Sequence, residues 1–222
     1  MSDFPISKDP LSTAIDKGVE EASKVAKEYL DKLIGPGLEE GGGIIADTVA
    51  YWRFKNKVNL VLKAKAFLEG KAIDPKRVLP KVIAPLLEAG SLEGEHDMKD
   101  RWAAMLASAA SEPKSVPPAF PKILSELSST EAKILEGMAD RVHNQVGWFA
   151  SGEEIREVHK LATWEYEVLM GNLVRLNLCR PAQELEYQTD STTTRINEWQ
   201  SYQQIEFTRL GYRFVEACRA PE

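Results

Sequence analysis

Apolar residues recur every three to four positions through most of the chain, the spacing of amphipathic helices. Residues 12 to 34 place Ile15, Val19, Ala22, Val25, Ala26, Tyr29, Leu30 and Leu33 on such a stripe. Gly35-Pro36-Gly37 ends it, and the run Gly41, Gly42, Gly43 reads as a hinge before the next helix. That helix is expected from about Ile44 to Glu69, with its Lys and Arg residues largely on the exposed side. Asp74-Pro75 has the form of a helix start, and Val78, Leu79, Val82, Ile83, Leu86 and Leu87 make the stripe that follows. Pro80 and Pro85 are expected to bend this helix, because each removes a backbone donor. A further helix, from about Asp97 to Ala110, carries Trp102, Met105, Leu106 and Ala109 on one face.

Four prolines within residues 113–121 then interrupt the pattern and predict a boundary. Lys122 to Leu127 is a short helical lead-in. Ser128-Ser129-Thr130-Glu131 and Ser151-Gly152-Glu153-Glu154 both fit a capping box, and Thr163 fits a cap. The third of these helices turns Tyr166, Leu169, Met170, Leu173 and Leu176 inward. Beyond Leu178 the period changes. Residues 179–188 and 202–208 read as two short strands around a polar tip, Thr189 to Asn197, and Tyr212 to Arg219 closes with a helix. The expected fold is mainly α: a helical module over 1–112, of which 1–43 is the amphipathic helix and glycine hinge, a proline-rich linker over 113–121, and a winged-helix-like module over 122–222 with a two-stranded β-ribbon.

Composition supports a packed core, with 43% hydrophobic and 28% charged residues in 222. Cys179 and Cys218 form no CxxC pair and suggest buried thiols in a reducing compartment. No signal-peptide pattern and no long apolar run is seen, so a cytoplasmic location is expected, with peripheral membrane contact left open. Charge is uneven. Between Tyr51 and Lys81 nine Lys/Arg face two acids, a local +7, whereas from Glu126 onward ten face sixteen, a local −6. Arg53, Lys55, Lys57, Lys63 and Lys65 are therefore the candidate interaction residues, through which residues 51–81 could meet nucleic acid or anionic lipid.

Catalytic patterns are missing from the sequence. His96, His143 and His159 have no second His or Cys at ligand spacing. The glycines of GPGLEEGGG match no phosphate-binding motif, and no serine sits in GxSxG. No cofactor, no metal and no small-molecule substrate is expected, and the chain reads as a non-enzyme. DNA binding by the second module is disfavoured, because the third helix carries Glu165 and Glu167 against Arg175, and the tip offers Arg195.

Several segments resemble a known family by their order and spacing. They are Asp47 to Asn56, Pro85 to Glu93, Met98 to Ala107, Phe120 to Ser128 with Glu131 to Leu135, Asn172 to Leu178, and Thr208 to Phe214. Together they are similar to the abortive-infection alpha family of bacteria. The resemblance implies a role in defence against phage and supplies no catalytic residues. Trp52 is expected in the core, Trp102 and Leu106 are expected to be buried together, and Arg53 is the first choice for a functional or inter-domain contact. The leading expectation is a defence protein that acts by contact with a phage or host protein, or by self-association. A membrane effector using the N-terminal amphipathic region and a nucleic-acid-binding regulator are the alternatives.

Overall fold

A computed structural model describes residues 10–34, 48–142, 149–182 and 202–221. The protein is mainly helical, with a small antiparallel sheet. The chain divides into two compact units, Met1–Ser125 with Cys218–Glu222, and Glu126–Ala217. The proline-rich residues 113–121 fall within the first of these. The glycines 41–43 and the tip 189–197 lie outside the described residues.

The first unit is built from α1 (Pro10–Ile34), α2 (Thr48–Glu69), α3 (Pro80–Gly90), α4 (His96–Ser111) and α5 (Phe120–Ser125). Its centre is α4, buried without a break from Trp102 to Ala110. Five of those nine residues are alanine, so neighbouring backbones can approach closely. Among the described residues the most extensive helix contact is between α2 and α4. Trp102 and Leu106 are both fully buried, as their one-turn spacing requires. Gly90 lies so near α4 that a methyl group there would press on Leu60 and on the Trp102 ring. From α1, Ala26, Tyr29 and Leu33 are buried, and burial together with the charge of Glu69 pushes the Tyr29 hydroxyl up to about 12. Val25, expected on the same stripe, is exposed.

The start of α3 differs from expectation. Asp74-Pro75 opens no helix. The segment before Pro80 is held extended by Lys76 N–H donating to the Ala110 carbonyl (2.7 Å) and Val78 N–H donating to the Leu33 carbonyl (2.9 Å). Pro80 therefore begins the helix instead of bending it, in the position where its missing N–H costs nothing, and Pro85 is the proline inside. The last residues of the chain return to this unit, where Ser108 Oγ donates to the Arg219 carbonyl.

The second unit contains α6 (Ser129–Val142), β1 (Phe149–Ser151), α7 (Gly152–His159), α8 (Thr163–Arg175), β2 (Cys179–Pro181), β3 (Gln204–Phe207) and α9 (Arg209–Ala217). Among the described residues the sheet has three strands in the order β1-β3-β2, all pairs antiparallel, in place of the expected two-stranded ribbon. At three residues, β1 is too short to show a period-two pattern. Ala150 faces Ile205, and both are buried. Arg180 faces Glu206 and pairs with it at 2.6 Å. Pro181 ends β2, an edge strand, where no ladder donor is needed.

The first expected capping box forms. Glu131 Oε2 accepts from Ser128 N–H and from Ser128 Oγ, both at 2.7 Å, and Glu131 N–H donates to Ser128 Oγ. The second does not form, because Ser151 is part of β1 and makes no side-chain cap, and Glu154 pairs with Arg141. The cap of α8 is Ala162 and not Thr163. Glu131 is only 3% exposed, and its other oxygen accepts from Asn172 Nδ2 of α8 at 2.7 Å. A buried carboxylate held by these donors joins the start of α6 to α8.

Glu131→Ala strands those donors, and the expected loss of folding stability is about 1–3 kcal/mol by urea unfolding. Gly152→Ala is expected to destabilise by about 1–3 kcal/mol in the same assay. Its methyl would press on the Tyr202 carbonyl and lie 2.6 Å from the Tyr166 hydroxyl.

Candidate functional site

The five basic candidates on α2 do not converge. At about 100° per residue, Arg53 and Lys57 lie one turn apart on one side of the helix, Lys55 points to the opposite side, and Lys63 and Lys65 point to others. Lys63 pairs with Asp100 of α4, and Lys65 pairs with Glu69 at 2.6 Å. Lys55 is exposed and Lys57 half-buried. Arg53 Nε lies 3.4 Å from Ser91 Oγ, inside the first unit.

Arg53 belongs to a small polar cluster. Asn56 is buried, and its Nδ2 donates to the Ser91 carbonyl at 3.0 Å and the Glu93 carbonyl at 3.4 Å. The Ser91 hydroxyl donates to the Glu88 carbonyl at 2.7 Å, and Glu93 Oε1 accepts from Gly94 and Glu95 N–H. Two of the sequence segments that carry the family resemblance thus meet here. The chemistry is that of a staple: Asn56 holds carbonyls of the turn that follows α3, and the Ser91 hydroxyl satisfies a carbonyl left open in the last turn of that helix. Ser91 is fully buried, and its proton is committed to a carbonyl.

Two reactive groups of the second unit, Cys179 and Tyr166, are similarly enclosed. Burial pushes the Cys179 thiol up to about 12, and its sulfur lies 3.9 Å from Met138 Sδ. Tyr166 is pushed above the usual phenol range by burial, and its hydroxyl donates to the Tyr202 carbonyl at 2.6 Å. His159 is lowered by burial and then by Lys133. Among the described residues no group of three or more His, Cys, Asp or Glu could hold a metal ion, and no helix is long and apolar enough to cross a membrane.

What the molecule does present is apolar surface. Trp52, expected in the core, is 39% exposed, and Phe54, Leu79 and Leu92 are also exposed in the first unit. In the second unit Trp164 is 69% and Val168 is 64% exposed, with Val158 exposed on α7. Trp164 and Val168 lie one turn apart on α8 and form a single stripe. Glu165 and Glu167 are half-buried on the same helix, and Arg175 at its end is held by Glu126 at 2.6 Å. The sequence contained this signal. Tyr166, Met170 and Leu173 face the core, so residues two before and two after Tyr166 fall on the opposite side. A tryptophan there stands mostly in solvent.

A comparison with protein families decides the kinship. The model for abortive infection alpha matches residues 54–218, well over half of the chain. This chain belongs to the abortive infection alpha family. The match opens at Phe54, so Trp52 and Arg53 lie just before it. No curated protein and no solved structure matches the chain. Within the family span lie the Asn56 staple, the buried length of α4, the Glu131 network and the Trp164–Val168 stripe.

Two outcomes follow from Cys179 and His159. Cys179 is expected to resist a thiol-alkylating reagent in the native protein and to react once it is unfolded, read by mass spectrometry of its peptide. A histidine lowered by folding binds its proton better in the unfolded chain, so it subtracts stability as pH falls below its ordinary value of 6.5. Urea unfolding is expected to show that decline between neutral and mildly acid pH, and His159→Gln is expected to flatten it.

Proposed function

We propose that this family member serves anti-phage defence of the abortive-infection type by binding a macromolecular partner, without turnover. One observation carries the reading: α8 holds Trp164 and Val168 out to solvent, side by side, on a helix whose other charges are mostly acidic. Leaving such apolar side chains exposed has a cost in solubility, and aromatic anchors of this kind are where binding energy concentrates. We read the second unit as winged-helix-like, with α8 as its third helix. In that reading the helix suits a protein surface better than a phosphate backbone, because it offers no excess of cations.

The alternatives have weaker support. A nucleic-acid interface on α2 would need its cations on one face, and they point to several. A membrane effector would need the α1 stripe released, and Ala26, Tyr29 and Leu33 are buried in the first unit. The reading places the protein in the cytoplasm, where a phage or host protein could be met.

The test replaces the stripe alone. The variant Trp164→Ala with Val168→Glu removes two exposed groups and is expected to melt within a few degrees of the parent. In bacteria expressing the protein and challenged with phage, it is expected to lose protection, measured as efficiency of plating. Full protection by a folded variant would remove α8 as the working surface. Protection lost only on charge reversal at Arg53, Lys55 and Lys57 would favour the nucleic-acid reading.

A further inference from the structure

A second surface complements the α8 stripe. Between α2 and α3 the chain runs extended up to Pro80, which opens α3, and residues 76–81 read Lys76, Arg77, Val78, Leu79, Pro80, Lys81. Val78 is buried and anchors the segment, its N–H bonded to α1. The side chains around it stand outward: Leu79 is 53% exposed, and Lys76, Arg77 and Lys81 are exposed. The result is one exposed leucine with three exposed cations within three residues of it, and Asp74 is the nearest acid in sequence. The α8 stripe is the opposite arrangement, two apolar groups on a helix bearing Glu165 and Glu167, in a region of net negative charge.

Resting on the reading of α8 as a binding surface, we propose that its occupant is the Lys76–Lys81 strap of a second copy of this chain. The argument is charge complementarity combined with matched apolar content. Leu79 would seat against Trp164 and Val168, and Arg77 and Lys81 would meet Glu165 and Glu167. Opposite charges at the rim of an apolar contact steer encounter and fix register. Trp164 and Val168 are about 6 Å apart along the helix axis, at 1.5 Å rise per residue, a span that a leucine flanked by long basic side chains can cover. Strap and stripe are different surfaces, so the contact is head-to-tail. It leaves one of each unfilled at the ends of every oligomer, and growth continues unless a ring closes. The contact is small and salt-sensitive, which makes assembly depend on concentration.

The experiment is sedimentation velocity on the full chain across a concentration series, with two variants. One carries Arg77→Glu and Leu79→Glu and keeps its stripe. The other carries Trp164→Lys and Val168→Lys and keeps its strap. Circular dichroism melting checks that both fold, and Leu79→Ala and Trp164→Ala stand in where either does not. The parent is expected to shift to larger species with concentration and to revert as salt is raised. Each variant alone is expected to stay monomeric. Their equimolar mixture is expected to stop at a 1:1 complex, because one intact stripe meets one intact strap. A parent monomeric throughout, or a mixture that forms no complex, overturns the proposal. So does a strap variant that associates like the parent, or a monomer whose strap binds vesicles of anionic lipid instead. Loss of phage protection in the α8 variant with no self-association would leave the α8 surface standing with a foreign partner. Self-association without any effect on protection would do the reverse.

Discussion

Burial of α4 on every side from Trp102 to Ala110 is the constraint around which the first unit is organised. A helix with no solvent face needs neighbours all round, and its own small side chains set how near they come. Alanine supplies that closeness at little entropic cost, because it has no rotamers to lose. Trp102 then fills the volume that the alanines leave, against Leu60 and the open side of Gly90. The helix α2 is itself buried over much of its circumference, with Asn56, Val58, Leu60, Val61, Ala64 and Leu68 enclosed. Its cations are therefore pushed to whichever margins remain, which is why a strongly basic stretch of sequence yields no single basic face.

The second unit is held differently. Its sheet is small, and the tie between α6 and α8 is polar, through Glu131. In a low-dielectric setting such a network is strong when every member is satisfied and costly when one is lost. Around it Arg175 bonds both Asn172 and Glu126, so α8 is fixed at its inner face and last turn. The outer face of α8, with Trp164 and Val168, is thereby left to solvent.

Local chemistry was the part most legible in the sequence. The helices from 97 to 110 and from 128 onward followed from periodicity and a capping box, since both signals operate within one turn. Misreadings arose where distant backbone took over. Residues 74–79 have a good local helix start, but amides 34 and 45 residues from their acceptors hold them extended. Ser151 has the composition of a cap, yet sheet pairing claims it. Asn172 completes the Glu131 network from 41 residues away, a separation that no local pattern encodes. On the functional side, the exposed Trp164 could be placed by counting around α8, whereas attention to charge alone led to Arg53 and its neighbours.

The return of Cys218–Glu222 to the first unit has a thermodynamic meaning. In chain order the second unit is an insertion, and residues 126–217 form a loop that the first unit must close. An unstructured loop of that length carries a closure entropy that grows as the logarithm of its size. Folding of the inserted residues shortens the effective loop and refunds part of that entropy. The two units are therefore coupled through the connectivity of the chain alone. Loosening the inserted unit would weaken the seat of Arg219 on Ser108, far away in sequence, with no surface needed to carry the message.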